Sequence, residues 1–380
     1  MTFKPVRTAV IGCGMISDIY LQNCKNAFSI LDLCGCADMV DRKAAAQAEK
    51  YGIRKMTTEE ILADDSIELV LNLTYPTSHY EVSRAILSAG KHCYCEKMMA
   101  LTMAEADELM TLAREKGVMF AVAPDTFLGA SQQTARYVLD RGLIGAPIAV
   151  VATLSRGYFM IKEDKDDAVR KYSVMCEGGG IPYDMGGYYL HEMFNLFGPV
   201  RRVCGFSRTR EAQRPFLNPR HSRFGETFTV NTPNTMACSF EFASGVYGMM
   251  YISSEHAVTE NRFTVMGSEG HLELGDPNNF GDRIYITKNG SGRLEFPLSH
   301  PYAQNSRGIG AADMAWALRT GRPARLSPEM GYHAMEFITA VAECDRTGEV
   351  QTLHTAFERP APISPEYYNG TSMERSLYLD

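Results

Sequence analysis

The sequence predicts an α/β protein in which a doubly wound parallel sheet is followed by an α+β domain with a large open, mostly antiparallel sheet. Residues 7–128 alternate short β-rich runs with helix-like segments, a pattern typical of right-handed βαβ units. From about residue 200 to 290, strand-like runs alternate with turn signals, which predicts antiparallel strands. We therefore expect two domains, residues 1–128 and residues 129–380.

Each element of the first domain has its own signal. The predicted strands are the β-rich runs TAVIG, ILDLCGCAD, ELVLNLTYP, HCYCEK and VMFAVAP. The predicted helices lie between them, in MISDIYLQNCKN, RKAAAQAEKYG, SHYEVSRAILSAG and TMAEADELMTLAREKG. The last of these helices begins with Thr102 and Glu105, which have the spacing of a capping box.

The second domain has a different order of predicted strands and helices. It opens with a helix in SQQTARYVLDRG and a strand in PIAVVATLS, and a Gly-rich turn and a further helix follow within residues 177–194. Strands are predicted in TMACSFEFASGVYGMMYISSE, RFTVMGSEGHLELGD and DRIYITKNGSG. Helical patterns follow at residues 308–320 and 328–346.

Composition and charge argue against several classes of function. The chain has 380 residues, 45% hydrophobic and 22% charged, and its net charge of −7 comes from acids and bases mixed along its length. We therefore expect no nucleic-acid partner and no membrane partner. The N-terminal residues lack an apolar signal core, so we expect a cytoplasmic protein. Ten cysteines are scattered without the spacing of a zinc site, so we expect packed thiols and no metal.

A glycine-rich turn between the first predicted strand and helix points to a dinucleotide. In VIGCGMIS, Gly12, Gly14 and Ser17 take the small-residue positions of the G-x-G-x-x-G/A/S arrangement, with Met15 and Ile16 between them. The first glycine permits a tight turn, the second lets the backbone approach a pyrophosphate, and the third residue must be small for helix–strand packing. Because the helix N-terminus then faces the phosphates, we interpret this as a Rossmann dinucleotide-binding domain.

A carboxylate at the end of the second predicted strand bears on the choice of cofactor. Asp38 lies 24 residues after Gly14, where it can accept both ribose hydroxyls of NAD and would repel the 2′-phosphate of NADP. Asp41 is a competing carboxylate, and Arg42 could instead meet a phosphate. We expect NAD as the cofactor, with NADP as the alternative.

Further polar residues follow the later strands of the same sheet. Thr74, His79 and the adjacent pair Glu96–Lys97 lie at or just beyond predicted strand ends. Ligands of open α/β sheets bind outside the carboxyl ends of the strands, so we expect these four residues to face the cofactor. There the amine of Lys97 can hydrogen-bond a substrate hydroxyl and stabilise developing alkoxide charge. The alternative is a surface Glu–Lys pair that begins a helix.

A second candidate motif is EGGGIPYDMGGYYLHEMF, residues 177–194. If this segment forms one helix after Pro182, then Asp184, Tyr188 and His191 lie on the same face. A titratable stripe on a helix otherwise rich in apolar residues is typical of a catalytic surface. The alternative is a solvated helix edge, or a Tyr and a His satisfied within the core.

The chain resembles the Gfo/Idh/MocA oxidoreductases over nearly its whole length. The stretches VIGCGMIS, HYEVSRAILSAGKHCYCEK, GGGIPYDMGGYYLHEMFNLFGPV and FTVMGSEGHLEL match the pattern of that family in order and spacing. The resemblance implies a Rossmann domain paired with an open-sheet α/β domain. It also implies hydride exchange between a nicotinamide and sugars, inositols or their derivatives.

The resemblance further implies roles for individual residues. Lys97 takes the position of the catalytic lysine in the family's E-K-P strand end, and Glu96 that of a ligand on the ribose or nicotinamide side. Asp184 matches the Asp of the family's D-x-G-x-H helix. Tyr188 stands where many members have His, which is similar to the glucose–fructose oxidoreductase and dihydrodiol dehydrogenase branches, where Tyr is thought to act as acid/base. His191 sits where other members often have Asp.

The implied mechanism is oxidation or reduction at a secondary alcohol carbon. Tyr188, or alternatively His191, would exchange the hydroxyl proton while hydride passes between that carbon and the nicotinamide. The ammonium of Lys97 would favour the phenolate, and Asp184 would orient the reacting hydroxyl or the His. Help of this kind is worth about 10²- to 10⁴-fold in rate.

Substrate contacts are predicted from less specific signals. The stretch APDTFLG replaces the family's commoner Asn-Arg sequence, and Asp125 within it is a possible local substitute. Segments 156–172 and 214–226 are rich in Arg, His, Asp and aromatic residues, which suit a polyol but also suit solvated loops. The residues that we expect to touch substrate are Asp125, Tyr158, Tyr183 and Asp184. A free sugar, a glycoside and a sugar acid all remain open.

Two other functions are compatible with the same motifs. The protein could recycle a bound NAD, so that transient oxidation assists elimination or glycoside cleavage. It could also be a non-catalytic NAD(P)-sensing protein, although the presence of Lys97, Asp184 and Tyr188 argues against that. The open sheet face predicts a homo-oligomer.

Overall fold

The computed structural model describes residues 3–157, 179–215, 219, 223–256, 258–365 and 374–378. These residues form a six-stranded sheet, a nine-stranded sheet and a two-stranded ribbon, with helices packed around them. The predicted fold class is confirmed: a parallel Rossmann sheet is followed by a large, mostly antiparallel sheet.

All strands of the first sheet are parallel and have the order β3-β2-β1-β4-β5-β6. They are β1 (Val6–Ile11), β2 (Leu31–Ala37), β3 (Arg54–Lys55), β4 (Leu69–Asn72), β5 (His92–Cys95) and β6 (Phe120–Val122). The sequence analysis missed β3 because its two residues are exposed and carry no apolar pattern. The strand order reverses between β1 and β4, so a crevice is expected beyond the carboxyl ends of these two strands.

Five helices cross between these strands: α1 (Ser17–Asn26), α2 (Asp41–Tyr51), α3 (Thr58–Ala63), α4 (Pro76–Ser88) and α5 (Met103–Lys116). The capping box predicted for α5 is present, because the backbone N–H of Glu105 donates to Thr102 Oγ1 and that of Thr102 donates to Glu105 Oε2. This helix ends at Gly117, whose φ of 64° lies in the left-handed region that favours glycine.

The second sheet has the order β16-β15-β14-β13-β7-β12-β11-β8-β17. Only β7 and β12 pair in parallel among the described strands of this sheet, and all other neighbours are antiparallel. The strands are β7 (Pro147–Gly157), β8 (Val200–Arg208), β11 (Thr235–Phe242), β12 (Tyr247–His256), β13 (Glu260–Gly267), β14 (Gly270–Leu274), β15 (Ile284–Lys288), β16 (Arg293–Phe296) and β17 (Gln351–Thr352). The separate ribbon pairs β9 (Gln213–Pro215) with β10 (Thr227–Thr229).

The remaining helices join the two sheets. They are α6 (Ala130–Asp140), α7 (Ile181–Asp184), α8 (Gly186–Phe197), α9 (Ile309–Thr320), α10 (Pro328–Thr347) and α11 (Arg375–Tyr378). Helix α10 packs on β8 of the second sheet and also on α5 and β6 of the first domain, and α9 packs on β6. The strands of the two sheets lie on either side of residue 128 in the sequence. Helices α9 and α10, which come later in the chain, nevertheless pack against the first domain. The division of the chain at residue 128 stays a prediction.

One face of the second sheet carries exposed apolar side chains. Phe206 is 62% exposed and Met249 is 51% exposed. The register pairs Ala237 with both Phe206 and Tyr251, so Phe206, Met249 and Tyr251 lie on the same face. Across the described part of the chain, no helix combines the length and apolar character needed to cross a membrane.

Candidate functional site

The crevice of the first domain begins at the glycine-rich turn after β1. Gly12 has a φ of +105°, and a Cβ placed there would lie 2.6 Å from the carbonyl carbon and oxygen of Leu73. Only glycine fits this approach of the loops after β1 and β4. A Cβ at Gly14 would meet only Tyr75 Oη, at 4.0 Å, so the backbone here borders open space. This open cradle suits a pyrophosphate, and the residues present therefore fit a dinucleotide.

Helix α1 starts directly behind this turn. Ser17 is buried and its Oγ donates to the carbonyl of Gly14 at 2.6 Å, which ties the turn to the first helical residue. Ile16 is the N-cap residue, and Met15 is exposed at the mouth of the turn. The orphan N–H groups of the helix therefore face the cradle, where phosphate oxygens would accept them.

Asp38 follows β2 and holds the same turn. Its Oδ2 accepts from the backbone N–H of Cys13 at 2.7 Å, and its Oδ1 accepts from that of Val40 at 2.8 Å. A carboxylate offers about four lone-pair sites, so acceptor capacity for ribose hydroxyls remains. The competing Asp41 pairs with Lys55 at 2.7 Å at the start of α2.

The predicted ligands after β4 form the wall of the crevice. Thr74 is half-buried, and its hydroxyl donates to Asn72 Oδ1 at 2.6 Å. His79 is buried, and its two ring nitrogens lie 2.6 Å from the Met98 carbonyl and 3.0 Å from that of Thr74. His79 thus lies between the loops after β4 and β5, and its contact with a cofactor stays a prediction.

Glu96 is turned into the protein rather than toward solvent. It is buried, and its Oε1 accepts from Tyr20 Oη at 2.6 Å, while Oε2 accepts from the backbone N–H of Lys97 at 3.1 Å. Tyr20 lies on α1, so the Glu96 carboxylate connects the strand end to the helix behind the glycine-rich turn. The alternative of an exposed Glu–Lys pair is therefore wrong for Glu96.

Lys97 lies where the two candidate motifs meet. Its Nζ donates to the carbonyl of Asp184 at 2.9 Å and to Asp184 Oδ1 at 3.0 Å, and it sits 4.9 Å from the centre of the Tyr188 ring. The side chain is 12% exposed. Burial alone would lower the pKa of Lys97, but the nearby Asp184, Tyr188 and Glu96 outweigh it and raise the pKa. The amine is therefore an ammonium at neutral pH, a donor and a positive charge but not a base.

The helix that carries the second motif is interrupted. The spacing predicted one continuous helix, but α7 ends at Asp184, and α8 begins at Gly186 after Met185. Asp184 and Tyr188 still reach Lys97 from the two sides of this break. A Cβ at Gly187 would contact Met98 and Pro124 at ordinary distances of 3.8 and 3.9 Å, so this glycine marks helix packing against the loops after β5 and β6.

His191 is more deeply buried than Asp184 and Tyr188. It is buried, with its ring 6.5 Å from that of Phe127 and 5.9 Å from that of Phe194, and its Nδ1 lies 2.9 Å from the Gly187 carbonyl. Burial lowers the pKa of His191 to about 4. Tyr188 and His191 both lie on α8, so the break at Met185 separates Asp184 from the two of them in the helix and leaves their i, i+3 spacing intact. The role of His191 stays a prediction.

The predicted substrate ligands have diverse surroundings. Asp125 is buried, and its Oδ2 accepts from the backbone N–H groups of Gly308 and Gly310 at 2.8 and 3.1 Å, so it holds the start of α9. Tyr183 is partly buried, and its hydroxyl interacts with Thr339 of α10. Tyr158 lies outside the described residues, as does most of segment 156–172.

Arg307 was not predicted as part of the site. Its guanidinium carbon lies 5.9 Å from the centre of the Tyr188 ring. The stretch NSRGIG gave a faint signal, since it places a cation and a glycine just before a predicted helix. Nothing local links it to Tyr188, 119 residues earlier.

The site therefore brings together an ammonium, a carboxylate, a guanidinium and a phenol beside a dinucleotide cradle. Such a set can bind a hydroxyl, take or return its proton and stabilise negative charge on its oxygen. Among the described residues, no group of three or more His, Cys, Asp or Glu side chains could hold a metal ion.

Two family models match the chain and together span both domains. Residues 6–123 match one described as "Oxidoreductase family, NAD-binding Rossmann fold". Residues 132–273 match one described as "GFO/IDH/MocA C-terminal domain".

Individual relatives agree with this match. An uncharacterised oxidoreductase of Schizosaccharomyces pombe is 31% identical over 204 residues, which cover 52% of this chain and 53% of the relative, so the match spans about half of that protein. The D-glucoside 3-dehydrogenase of Escherichia coli is 24% identical over 92% of this chain and 97% of its own. A solved levoglucosan dehydrogenase, in complex with NADH and L-sorbose, superposes with a TM-score of 0.78 at 18% identity and covers 93% of this chain and 100% of its own, a likeness of fold.

Proposed function

Because this chain belongs to the Gfo/Idh/MocA oxidoreductase family, we propose that it transfers hydride at a secondary alcohol carbon of a sugar, glycoside or polyol, with a nicotinamide dinucleotide as the redox partner. The observation that carries the proposal is the meeting of Lys97, Asp184 and Tyr188 at the end of β5, beside the dinucleotide cradle.

Tyr188 is the proposed acid/base. A tyrosine can take the proton of a substrate hydroxyl as phenolate and return it as phenol. Lys97 stays charged and donates to the substrate oxygen, which stabilises the negative charge that develops there. Asp184 holds the ammonium in place by accepting two hydrogen bonds from it, one at its backbone carbonyl and one at its carboxylate.

His191 is the weaker candidate for the same role. Its pKa of about 4 leaves the imidazole neutral at physiological pH, and its Nδ1 is engaged by the Gly187 carbonyl. We therefore assign the proton transfer to Tyr188.

The proposed cofactor is NAD. When bound, it supplies the hydride acceptor for oxidation of the alcohol, and its reduced form supplies the donor for the reverse reaction. Gly12 and Gly14 would cradle the pyrophosphate, the N-terminus of α1 would face its charge, and Asp38 would accept the ribose hydroxyls. A 2′-phosphate beside the Asp38 carboxylate would be repelled, so NADP is the less favoured partner.

The proposed substrate class rests on the site and on the names of the relatives. A secondary alcohol beside a fixed ammonium and a phenol is the group that these side chains can activate, and two of the relatives are named as acting on sugars. The sugar, the oxidised carbon and the direction of reaction are all left to experiment.

The open face of the second sheet supports a homo-oligomer. Phe206 and Met249 leave apolar surface exposed on this face. Burial of such surface against a second copy of the chain is favourable. The described cysteines are free, which supports a reducing compartment such as the cytoplasm. Size-exclusion chromatography with light scattering tests the first point, and a monomer would contradict it.

A substrate panel tests the proposed function. Purified protein with added NAD is mixed with sugars, glycosides, sugar acids and inositols, and the absorbance band of reduced nicotinamide is followed together with product analysis. We expect net reduction of NAD with at least one member of the panel.

The other outcomes identify the alternative functions. Product formation without net reduction would indicate a bound NAD that is recycled during elimination or glycoside cleavage. Dinucleotide binding with neither reduction nor product over the whole panel, in both directions of reaction, would contradict an enzyme and favour an NAD(P)-sensing protein.

A further inference from the structure

The turn before α7, residues 179–180, packs against a buried threonine of the loop between β10 and β11; we call it the α7 turn. Gly180 has a φ of +84°, and a Cβ placed there would lie 2.6 Å from both the Pro233 carbonyl oxygen and Thr232 Oγ1. Thr232 is buried, and its hydroxyl donates to the carbonyl of Gly179 at 2.9 Å. Only glycine fits at position 180, because φ is positive and no space is left for a side chain.

The α7 turn also holds Asp184. The carbonyl of Gly180 accepts from the backbone N–H groups of Tyr183 and Asp184, at 3.1 and 2.8 Å. Asp184 in turn accepts from Lys97 Nζ at both its carbonyl and its carboxylate. A short path of hydrogen bonds therefore leads from the Thr232 hydroxyl through the α7 turn and Asp184 to the ammonium.

Helix α7 is too short to set the position of Asp184 by itself. It has only four residues, Ile181–Asp184, and the helix breaks at Met185. Helices shorter than about 12–15 residues are marginal in isolation, so α7 takes its position from its packing. It packs on β11 and β12, and the hydrogen bond from Thr232 fixes the turn from which it starts.

The loop that carries Thr232 is anchored to the second sheet. The Thr232 carbonyl accepts from Thr209 Oγ1 at 2.7 Å, and the backbone N–H of Asn234 donates to the Arg208 carbonyl at 3.1 Å. The carbonyl of Asn234 accepts from the backbone N–H of Ser254 at 2.9 Å. Because these contacts tie the loop to the end of β8 and to β12, Thr232 is a fixed point against which the α7 turn is held.

Resting on the proposed function, we propose that Thr232 is a positioning residue, which sets the place at which Asp184 holds the Lys97 ammonium. It does so through the α7 turn and needs no contact with the substrate. The ammonium has to meet the substrate oxygen at hydrogen-bond distance, and a misplacement of about 1 Å caused by a change far from the chemistry can cost about 10²-fold in rate. The hydroxyl of Thr232 therefore contributes to turnover as well as to stability.

The test compares two substitutions at position 232. Thr232→Val keeps the shape of the side chain and removes the hydroxyl, whereas Thr232→Ser keeps the hydroxyl. The matched control is Thr8→Val, because Thr8 is also buried and its hydroxyl also donates to a backbone carbonyl, that of Val6 at 2.8 Å, near the amino end of β1. If Thr232→Val does not fold, Thr209→Val loosens the same loop one hydrogen bond farther from the α7 turn.

Two quantities are measured in each variant. The first is the steady-state rate of NAD reduction with the substrate found in the panel. The second needs no turnover: the protein is acetylated with acetic anhydride, and mass spectrometry of its peptides compares the Lys97 amine with the buried Lys91 amine as internal standard. Lys97 pairs with Asp184 at 3.0 Å, which protects it from acetylation because only an unprotonated amine is a nucleophile.

We expect Thr232→Val to lower kcat by about tenfold with an unchanged KM for NAD. Acetylation of Lys97 should rise by about tenfold, since a weaker contact with Asp184 leaves more of the amine unprotonated. Thr232→Ser should restore both quantities, Thr209→Val should change both by less, and Thr8→Val should lose stability alone.

An unchanged kcat or an unchanged acetylation of Lys97 in Thr232→Val, or equal changes in Thr8→Val, would overturn the proposal. A parent protein that turns over no substrate would instead refute the proposed function. The acetylation of Lys97 would then still decide whether Thr232 positions the ammonium.

Discussion

Replacing Lys97 with methionine tests the proposed site most sharply, because the side chain keeps its length and loses only its ammonium. In the structure Nζ donates to two oxygens of Asp184, at 2.9 and 3.0 Å. Hydrogen bonds to charged groups are worth about 1.5–3 kcal/mol when buried. The Asp184 side chain is 30% exposed, so water replaces part of what is lost, and we expect Lys97→Met to cost about 1–2 kcal/mol of unfolding free energy.

The catalytic loss should be larger than this loss of stability. Without the ammonium, charge on the substrate oxygen and on the phenolate loses its nearest donor. Removing one such preorganised donor typically costs about 10²- to 10³-fold in kcat, or about 3–4 kcal/mol of transition-state free energy. We expect kcat to fall by at least this factor while NAD affinity stays within a few-fold, since the cradle at Gly12 and Gly14 is unchanged.

Lys91→Met is the matched control for this variant. Lys91 is also buried, in the same domain, and its Nζ also donates to two oxygens, the carbonyls of Asp64 and Ile67 at 2.7 and 3.0 Å. It should lose comparable stability in thermal or denaturant unfolding and keep its kcat. The assay is initial rate of NAD reduction with the substrate found in the panel, and NAD titration by fluorescence. If Lys97→Met kept wild-type kcat, or Lys91→Met lost as much, the role of Lys97 would be refuted.

The remaining predictions use the same assays. Tyr188→Phe should lower kcat by about 10²- to 10⁴-fold. Tyr189→Phe should leave kcat unchanged, because the hydroxyl of that buried neighbour has no hydrogen-bond partner among the described atoms. Similar losses of kcat in both variants would contradict the assignment of Tyr188 as the acid/base. Asp38→Ala should weaken NAD by more than it weakens NADP in equilibrium titration, and an equal loss of both would remove the argument for NAD. Burial would raise the pKa of Glu336, but a contact with His333 and two backbone N–H groups lower that pKa from 4.5 to about 2. The ionised Glu336 therefore stabilises the folded protein above about pH 4.5, and this stabilisation is lost as the pH falls toward 2. Glu336→Gln should therefore cost about 2 kcal/mol at pH 7 and flatten the acid unfolding curve between those values, and an unchanged curve would show that this carboxylate does not matter.

Patterns within one segment were predicted well from sequence. The alternation of strands and helices, the glycine-rich turn and the capping box of α5 depend on residues close together in the chain, and each is confirmed as an element of structure. The meeting of Lys97 with Asp184 was expected from the resemblance, which carries long-range information that periodicity lacks.

Failures arose where tertiary packing decides orientation. A continuous helix from Pro182 onward was expected, but the helix breaks at Met185, and His191 is buried beside the rings of Phe127 and Phe194. The ring nitrogens of His79 lie beside two backbone carbonyls, a tertiary contact that the sequence does not indicate. Arg307 lies near Tyr188 because α9 packs back onto the first domain. No local sequence pattern predicts this packing.

The central claim is that Lys97 and Tyr188 act on one alcohol beside one nicotinamide. A crystal structure of the protein with NAD and the substrate identified in the panel tests this most directly. We expect the hydride-accepting carbon of the ring about 3–3.5 Å from the reacting substrate carbon, with the substrate oxygen in hydrogen-bond reach of both Lys97 Nζ and Tyr188 Oη. A nicotinamide ring bound away from β5, with neither side chain near the substrate oxygen, would contradict the account.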